Sequence, residues 1–411
     1  MKMYGFLSSA ARSGLVRLGA AGMAVVVCAM ANPAWAAEAS PQEKWSRMVD
    51  LFQSKVAEYA VGGASIALVE NGKIVDRRDY GYADRATGRK VDGDTIFHWA
   101  SISKTLNAIT VMQMRERGQL GLNDPLTRYV PELRRMHNPF GAMDSINIGQ
   151  ALSHTAGFQA STWPYRTGAD WEPFEPTEWE QVVAMMPYQR IEHRPGMQFG
   201  YSNPSWIYLA RIVEQLSGDP WEYYVQKNIF TPLGMDRSYF GLTPPHLLKD
   251  RSQRYVASKE KGKLKLDQES GEFDPGITIP NGGWNSPLAD VATYLGFLTH
   301  AIGGDPERAR IYESVLPRAA LEDMWNPRIA TAEAQGADKM GLSFFIAGEG
   351  DSTVVGHTGG QAGFTSFMYF NPKTGRGVVA GFNTVHAAGT FEPDRGGYFG
   401  PLRQAAVEML K

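Results

Sequence analysis

Apolar residues spaced three and four apart mark the first ordered segment of the chain: Trp45, Met48, Val49, Phe52, Val56 and Tyr59 fall on one face of a helix. Ser40-Pro41-Gln42-Glu43 supplies its start, with a serine cap, a proline at the first helical position and a glutamate that can reach back to the cap. Gly62-Gly63 ends it. Two strand-like runs over 64–70 and 73–82 follow, joined by Asn71-Gly72, a strong hairpin signal. The pattern then turns helical and rich in loops. The run 106–117 closes at Gly118, Asp124-Pro125 starts a helix, 148–152 belongs to another, and 206–216 closes at Gly218. Ser286-Pro287 begins a helix over 288–301. Strands return over 342–347, 353–355, 364–370 and 377–382, the last two joined by the turn residues Asn371-Pro372-Lys373-Thr374-Gly375, and a helix over 402–410 closes the chain.

The order of sheet, helices and sheet predicts an α+β fold. Residues 37–100 and about 286–411 should share one antiparallel sheet flanked by helices. Residues from about 101 to 285 should form an inserted, mostly helical part, with a cleft between the two.

Composition adds an address. The first 36 residues carry Lys2, Arg12 and Arg17 and no acid, then an apolar run from Leu18 to Ala31 and Ala34-Trp35-Ala36. That is the layout of a secretory signal peptide cut after Ala36, because the apolar run is shorter than the ~20 residues a spanning helix needs. The expected product is periplasmic or secreted, with no stable membrane span after cleavage. Its single cysteine, Cys28, leaves with the signal, so export brings no disulfide. Cleavage takes the formal net charge from −2 to −5, and nothing points to a nucleic-acid partner. Of the 20% of residues that are charged, Glu172, Glu175, Glu178 and Glu180 read as solvated surface, and Lys259, Lys261, Lys263 and Lys265 as an exposed strand or hairpin that needs no ligand.

Candidate chemistry centres on Trp99-Ala100-Ser101-Ile102-Ser103-Lys104-Thr105. Ser101 precedes a helix, and Lys104 lies one turn on along the same face. A serine hydroxyl is a weak nucleophile until a base takes its proton, and a lysine can do so only where its neutral form is favoured. The helix N-terminus adds positive field where an oxyanion would form. The same Ser-x-x-Lys spacing recurs at Ser258 to Lys261 without an apolar helix behind it, so context decides. Two further stretches complete a set: Tyr201-Ser202-Asn203 in a turn before the 206–216 helix, and Gly356-His357-Thr358-Gly359-Gly360-Gln361-Ala362-Gly363-Phe364 after a strand, where glycines allow close backbone approach.

Together these motifs resemble the serine β-lactamase and penicillin-recognising hydrolase superfamily, with class C β-lactamases, D-alanyl-D-alanine carboxypeptidases, D-aminopeptidases and family VIII esterases as the nearest branches. Leu152-Ser153-His154-Thr155-Ala156-Gly157, Phe230-Thr231-Pro232-Leu233-Gly234-Met235 and Gly282-Gly283 with Ser286 and Asp290 extend the resemblance over nearly all of the mature chain. It implies a β-lactamase/transpeptidase-like fold. It implies Ser101 as nucleophile, Lys104 and Tyr201 sharing proton transfer with either as base, and the amides of Ser101 and Gly360 as oxyanion hole. Asn203 would contact the substrate amide or Lys104, and His357, Thr358 and Gly359 would form a substrate subsite, with His357 and Thr358 contacting a substrate carboxylate or shaping that subsite. A histidine at that place resembles the carboxypeptidase and aminopeptidase branches more than class C β-lactamases. His154 reads as a hydrogen-bonding residue of a turn.

Every motif has a decoy. Tyr369-Phe370-Asn371 repeats Tyr-x-Asn at a strand end, and Lys373-Thr374-Gly375 is a literal Lys-Thr-Gly inside a hairpin turn; neither is assigned a role. The irregular stretch 158–179 holds Trp163, Tyr165 and Trp171, which line a pocket for the acyl or leaving group or else form a small aromatic core beneath a loop. No His-x-His, His-Glu-x-x-His or Gly-x-Ser-x-Gly occurs, so neither a metal hydrolase nor an α/β-hydrolase is expected. The expectation is an exported serine hydrolase working through an acyl-enzyme on a D-amino-acid peptide or carboxylic ester. It needs no cofactor or metal and has a small molecule or peptide as its partner. A class C-type β-lactamase and a non-catalytic cell-wall-binding homologue are the alternatives. Oligomeric state is not legible.

Overall fold

A computed structural model of the chain describes residues 40–165, 175–269, 271–301, 303–332, 334–387 and 397–411. Helix α1 (Pro41–Glu58) leads into the hairpin β1 (Gly63–Glu70) and β2 (Lys73–Asp84), followed by β3 (Arg89–Lys90), β4 (Ile96–Ala100) and α2 (Ser103–Glu116). Next come α3 (Leu126–Tyr129), α4 (Ile148–Leu152), α5 (Trp179–Met185), α6 (Pro204–Ser217), α7 (Trp221–Val225), α8 (Thr231–Leu233), the strands β5 (Tyr239–Phe240), β6 (Tyr255–Glu260) and β7 (Lys263–Gln268), and α9 (Ile279–Gly282). The remainder is β8 (Trp284–Pro287), α10 (Leu288–Leu298), α11 (Pro306–Val315), α12 (Arg318–Met324), β9 (Ile329–Ala330), β10 (Lys339–Met340), β11 (Phe345–Ala347), β12 (Val354–Gln361), β13 (Phe364–Asn371), β14 (Arg376–Phe382), β15 (Thr384–His386) and α13 (Phe399–Leu410).

Among the described residues the largest sheet has nine strands in the order β3-β2-β1-β14-β13-β12-β11-β10-β9. The N- and C-terminal parts therefore meet at the β1–β14 seam, where Ala64 pairs Phe382 and Glu70 pairs Arg376, antiparallel. Alternate residues of the central strands serve two cores. Ile66, Leu68, Phe367, Tyr369, Val378 and Ala380 pack with the apolar faces of α1 and α13. Ala67, Val69, Met368, Phe370 and Val379 join the helical side of the molecule. Burial on both faces explains why these strands read as continuous apolar runs. Each large ring so buried, such as Phe52 against Phe382 at 6.3 Å between centroids, contributes about 1.5–3 kcal/mol.

Helix α2 is buried along Ser103 to Met114, and two of its side-chain amides donate to main-chain carbonyls of neighbouring elements. Asn107 Nδ2 donates to the Trp206 carbonyl at 2.8 Å and Gln113 Nε2 to the Val315 carbonyl at 2.7 Å. The element carrying Ser101 is thus fixed at the centre of the fold.

Two expectations change. The segment before Ser101 is a strand, β4, in a small sheet ordered β4-β8-β5; all five of its residues are buried, so no alternation marked it. The strand expected over 353–355 runs on to Gln361. Its glycines lie within the strand because β13 pairs with it through Gly360↔Thr365 and Gln361↔Phe364. Tertiary pairing here overrides the low strand preference of glycine.

Candidate active site

Strand β4 ends at Ala100, whose φ of 49° turns the chain sharply into Ser101 and α2. Ser103 Oγ donates back to the Ala100 carbonyl at 2.7 Å and holds that turn. One turn into the helix, fully buried Lys104 places Nζ 2.9 Å from Ser101 Oγ and donates to the Asn281 carbonyl at 2.7 Å. Burial holds the Lys104 ammonium well below the usual lysine range.

Tyr201 completes the group. Its hydroxyl hydrogen-bonds with Ser101, and its ring centroid lies 5.2 Å from Lys104 Nζ. Burial raises the phenol above the ordinary tyrosine value, so it stays protonated at neutral pH. The ring stacks on His154 at 4.4 Å, and His154 Nδ1 accepts the Ser202 N–H at 3.0 Å, fixing the turn that carries Tyr201. His154 is held neutral by burial and by Lys104.

Strand β12 forms the facing wall. Strand β11 pairs with it only as far as Gly356, opposite Phe345, so among the described residues no strand covers the edge from His357 to Gln361. Gly359 sits against the nucleophile turn: a Cβ there would lie 2.1 Å from the Trp99 carbonyl and 2.5 Å from Ser366 Oγ, which itself donates to that carbonyl at 3.0 Å. At Gly360 a Cβ would meet open space. Gly359→Ala should therefore destabilise the protein by about 1–3 kcal/mol and displace Ser101, while Gly360→Ala leaves the unfolding midpoint unchanged. Thermal unfolding of the two variants side by side checks this.

His357, expected to contact a substrate carboxylate or to shape that subsite, is fully buried with its ring against Phe345 at 5.3 Å, and burial and Lys104 hold its pKa to about 3. Its Nδ1 lies 2.6 Å from the Thr358 carbonyl, and its buried Nε2 has no partner among the described residues. Gly359, expected at a substrate subsite, lets β12 approach the Trp99 backbone. Asn203, expected to contact the substrate amide or Lys104, stands half-buried at the N-terminus of α6 without a side-chain cap bond. The main-chain carbonyl of Asn281 accepts a hydrogen bond from the lysine.

Thr358 is almost fully buried on β12. Trp163 is buried in the main core and also lines a cleft of about 670 Å³ with Tyr165, Arg190, Phe273 and Gln361. Gln159 ties this stretch down, its Nε2 donating to the Trp163 carbonyl at 2.8 Å. Trp171 and Glu172 lie outside the described residues. Both decoys fall elsewhere: Tyr369 is buried in the α1/α13 core, and exposed Lys373 sits in a turn closed by Asn371 Oδ1. The Ser258 to Lys261 decoy occupies the β6–β7 hairpin. Among the described residues no group could hold a metal ion, and no helix is long and apolar enough to cross a membrane.

A helix-flanked antiparallel sheet whose Ser-x-x-Lys turn faces a tyrosine and a glycine-bearing strand defines a class, the β-lactamase/penicillin-binding-protein fold. The chain belongs to the Beta-lactamase family, whose family model matches residues 48–398. It is similar to Protein flp of Staphylococcus aureus (strain COL), 24% identical over 320 residues, which is 78% of this chain and 59% of that protein. It thus spans less than two thirds of that relative's length. Among solved structures it is similar to the octameric penicillin-binding protein homologue from Pyrococcus abyssi, with TM-score 0.69 and 24% identity over 87% of this chain and 76% of that one. It is also similar to the D-alanine carboxypeptidase AmpC from Burkholderia cenocepacia, with TM-score 0.65 and 20% identity over 90% and 99%. At these identities the structural likenesses establish the fold alone.

Proposed function

We propose that this protein is an exported serine hydrolase that cleaves amide or ester bonds through an acyl-enzyme on Ser101. The observation that carries the reading is the 2.9 Å contact between Ser101 Oγ and an amine buried enough to lose its proton. In this mechanism neutral Lys104 takes the hydroxyl proton as Oγ attacks the acyl carbonyl. The amides of Ser101 and Gly360 stabilise the oxyanion. Tyr201, kept protonated, donates to the leaving group and is refilled from the Lys104 ammonium. Water then attacks the acyl-enzyme, giving a proton to the same pair; the acyl C–Oγ bond breaks, Ser101 Oγ takes that proton back, and the carboxylic acid is released. Lys104 is favoured over Tyr201 as base because burial makes the amine easier to deprotonate and the phenol harder.

The layout of residues 1–36 supports export, and family membership supports hydrolysis. Neutral, buried His357 does not supply a cation for a substrate carboxylate. The test is the intact mass of the purified mature protein after brief exposure to p-nitrophenyl acetate and butyrate, nitrocefin, benzylpenicillin and a D-Ala-D-Ala peptide, with product release followed in parallel. A Ser101-bound acyl adduct and release from an ester or peptide are expected. Rapid nitrocefin release would make it a β-lactamase, and no adduct from any compound would leave only a binding role.

A further inference from the structure

His98 lies three residues before Ser101 on β4 and is 5% exposed. Its Nδ1 is 3.0 Å from Asn285 Oδ1, and its Nε2 is 3.3 Å from Gln361 Oε1. Asn285 cannot turn over, because its Nδ2 donates to the Gly283 carbonyl at 3.1 Å and an oxygen there would face an oxygen. His98 Nδ1 must therefore donate. A neutral imidazole has one N–H, so Nε2 is an acceptor. Burial, with Arg254 nearby, disfavours a second proton on this ring, which also lies edge-on to Phe273 at 5.7 Å. Two acceptors cannot bond, so the Gln361 amide sits with its NH2 toward His98 and its oxygen turned away.

The direction of that oxygen follows from the surroundings. Gln361 is the residue after Gly360 and lines the 670 Å³ cleft beside Phe273. Gly282 packs against the end of the amide that faces His98: a Cβ there would lie 2.2 Å from the atom at that end and 3.5 Å from the other amide atom. The other end, where the oxygen is placed, faces away from both on a residue that lines the cleft. Gln361 therefore brings a fixed acceptor to within one residue of the proposed oxyanion hole, held by a histidine on the nucleophile's own strand.

We propose that Gln361 is a specificity-determining residue whose amide oxygen, oriented by His98, accepts an N–H from the acyl part of the substrate. The favoured substrates are then acylamino, peptide-like acyl groups over plain acyl groups of the same shape. This rests on the acyl-enzyme reading above and names its substrate class. An acceptor that has given up water must be re-paired by the substrate, so an analogue lacking the N–H is rejected.

The test compares the p-nitrophenyl esters of N-acetylglycine and levulinic acid, which differ by N–H against CH2, each rate divided by the ester's own hydroxide-catalysed rate. The wild-type protein should favour the N-acetylglycyl ester in kcat/KM by about 10-fold or more. Gln361→Met should bring that ratio toward one, lowering the N-acetylglycyl value more than the levulinyl value. A corrected ratio near one in the wild type overturns the proposal whether or not the variant folds, as does a preference that survives Gln361→Met. Failure of the parent reading looks different: neither ester turns over and Ser101 carries no adduct.

Discussion

Ser101→Ala should abolish the acyl adduct and lower ester or peptide turnover by about 10⁴-fold or more, since no other group can form the covalent intermediate. Intact mass after substrate exposure reads the first effect, and initial rates read the second. The fold should survive, because Ser101 is half-buried at a turn whose shape is held by Ser103 and by the carbonyl of Trp99. Lys104 Nζ keeps its bond to the Asn281 carbonyl. Unchanged turnover with an intact unfolding transition would place the nucleophile elsewhere.

Lys104→Met should cost at least about 10³-fold in acylation, the scale of a lost general base, while raising thermal stability at neutral pH. The second effect follows from linkage. Burial lowers the lysine pKa in the folded state, so the unfolded chain binds more protons and stability rises with pH. The cost of burying the amine is fully present below the lowered folded value. It fades as pH climbs toward the free-lysine value of about 10.4. Methionine has no such cost, so the stability gap between variant and wild type should narrow between neutral pH and pH 10. Wild-type acylation should rise with pH through the same lowered lysine value. A gap that widens with pH would mean the lysine is charged and paired in the fold. A base forced into the core at the expense of stability is the usual trade at a catalytic centre.

The buried imidazoles make the same point about environment. His154 and His357 flank Tyr201 at 4.4 and 6.4 Å, and both are held neutral. With neutral rings around it, Lys104 has, among the described residues, no positive imidazole facing it and no carboxylate acting on its proton. Its low basicity is therefore set by desolvation, the first cause acting on it.

Sequence alone determined the parts of this protein that depend on local chemistry. The Ser40 to Glu43 start of α1, the Asn71-Gly72 hairpin, the Gly118 and Gly218 helix ends and the Ser101–Lys104 spacing are all short-range patterns. The structure has them where the pattern put them. Sheet-helix-sheet order was legible for the same reason, since each element's period lies within its own residues. Tertiary structure decided what depends on neighbours distant in the chain. Glycines could be read as needing close approach, yet only the fold showed that Gly359 approaches Trp99, some 260 residues earlier. His357 could be read as a binding residue, but its burial behind Tyr201 is a property of the assembled core. The acceptor for Lys104 is a main-chain carbonyl, which carries no side-chain signature at all. Residue type fixes what a group can donate, accept or titrate; solvent exposure and partner geometry, which decide what it does, exist only once the chain has closed around it.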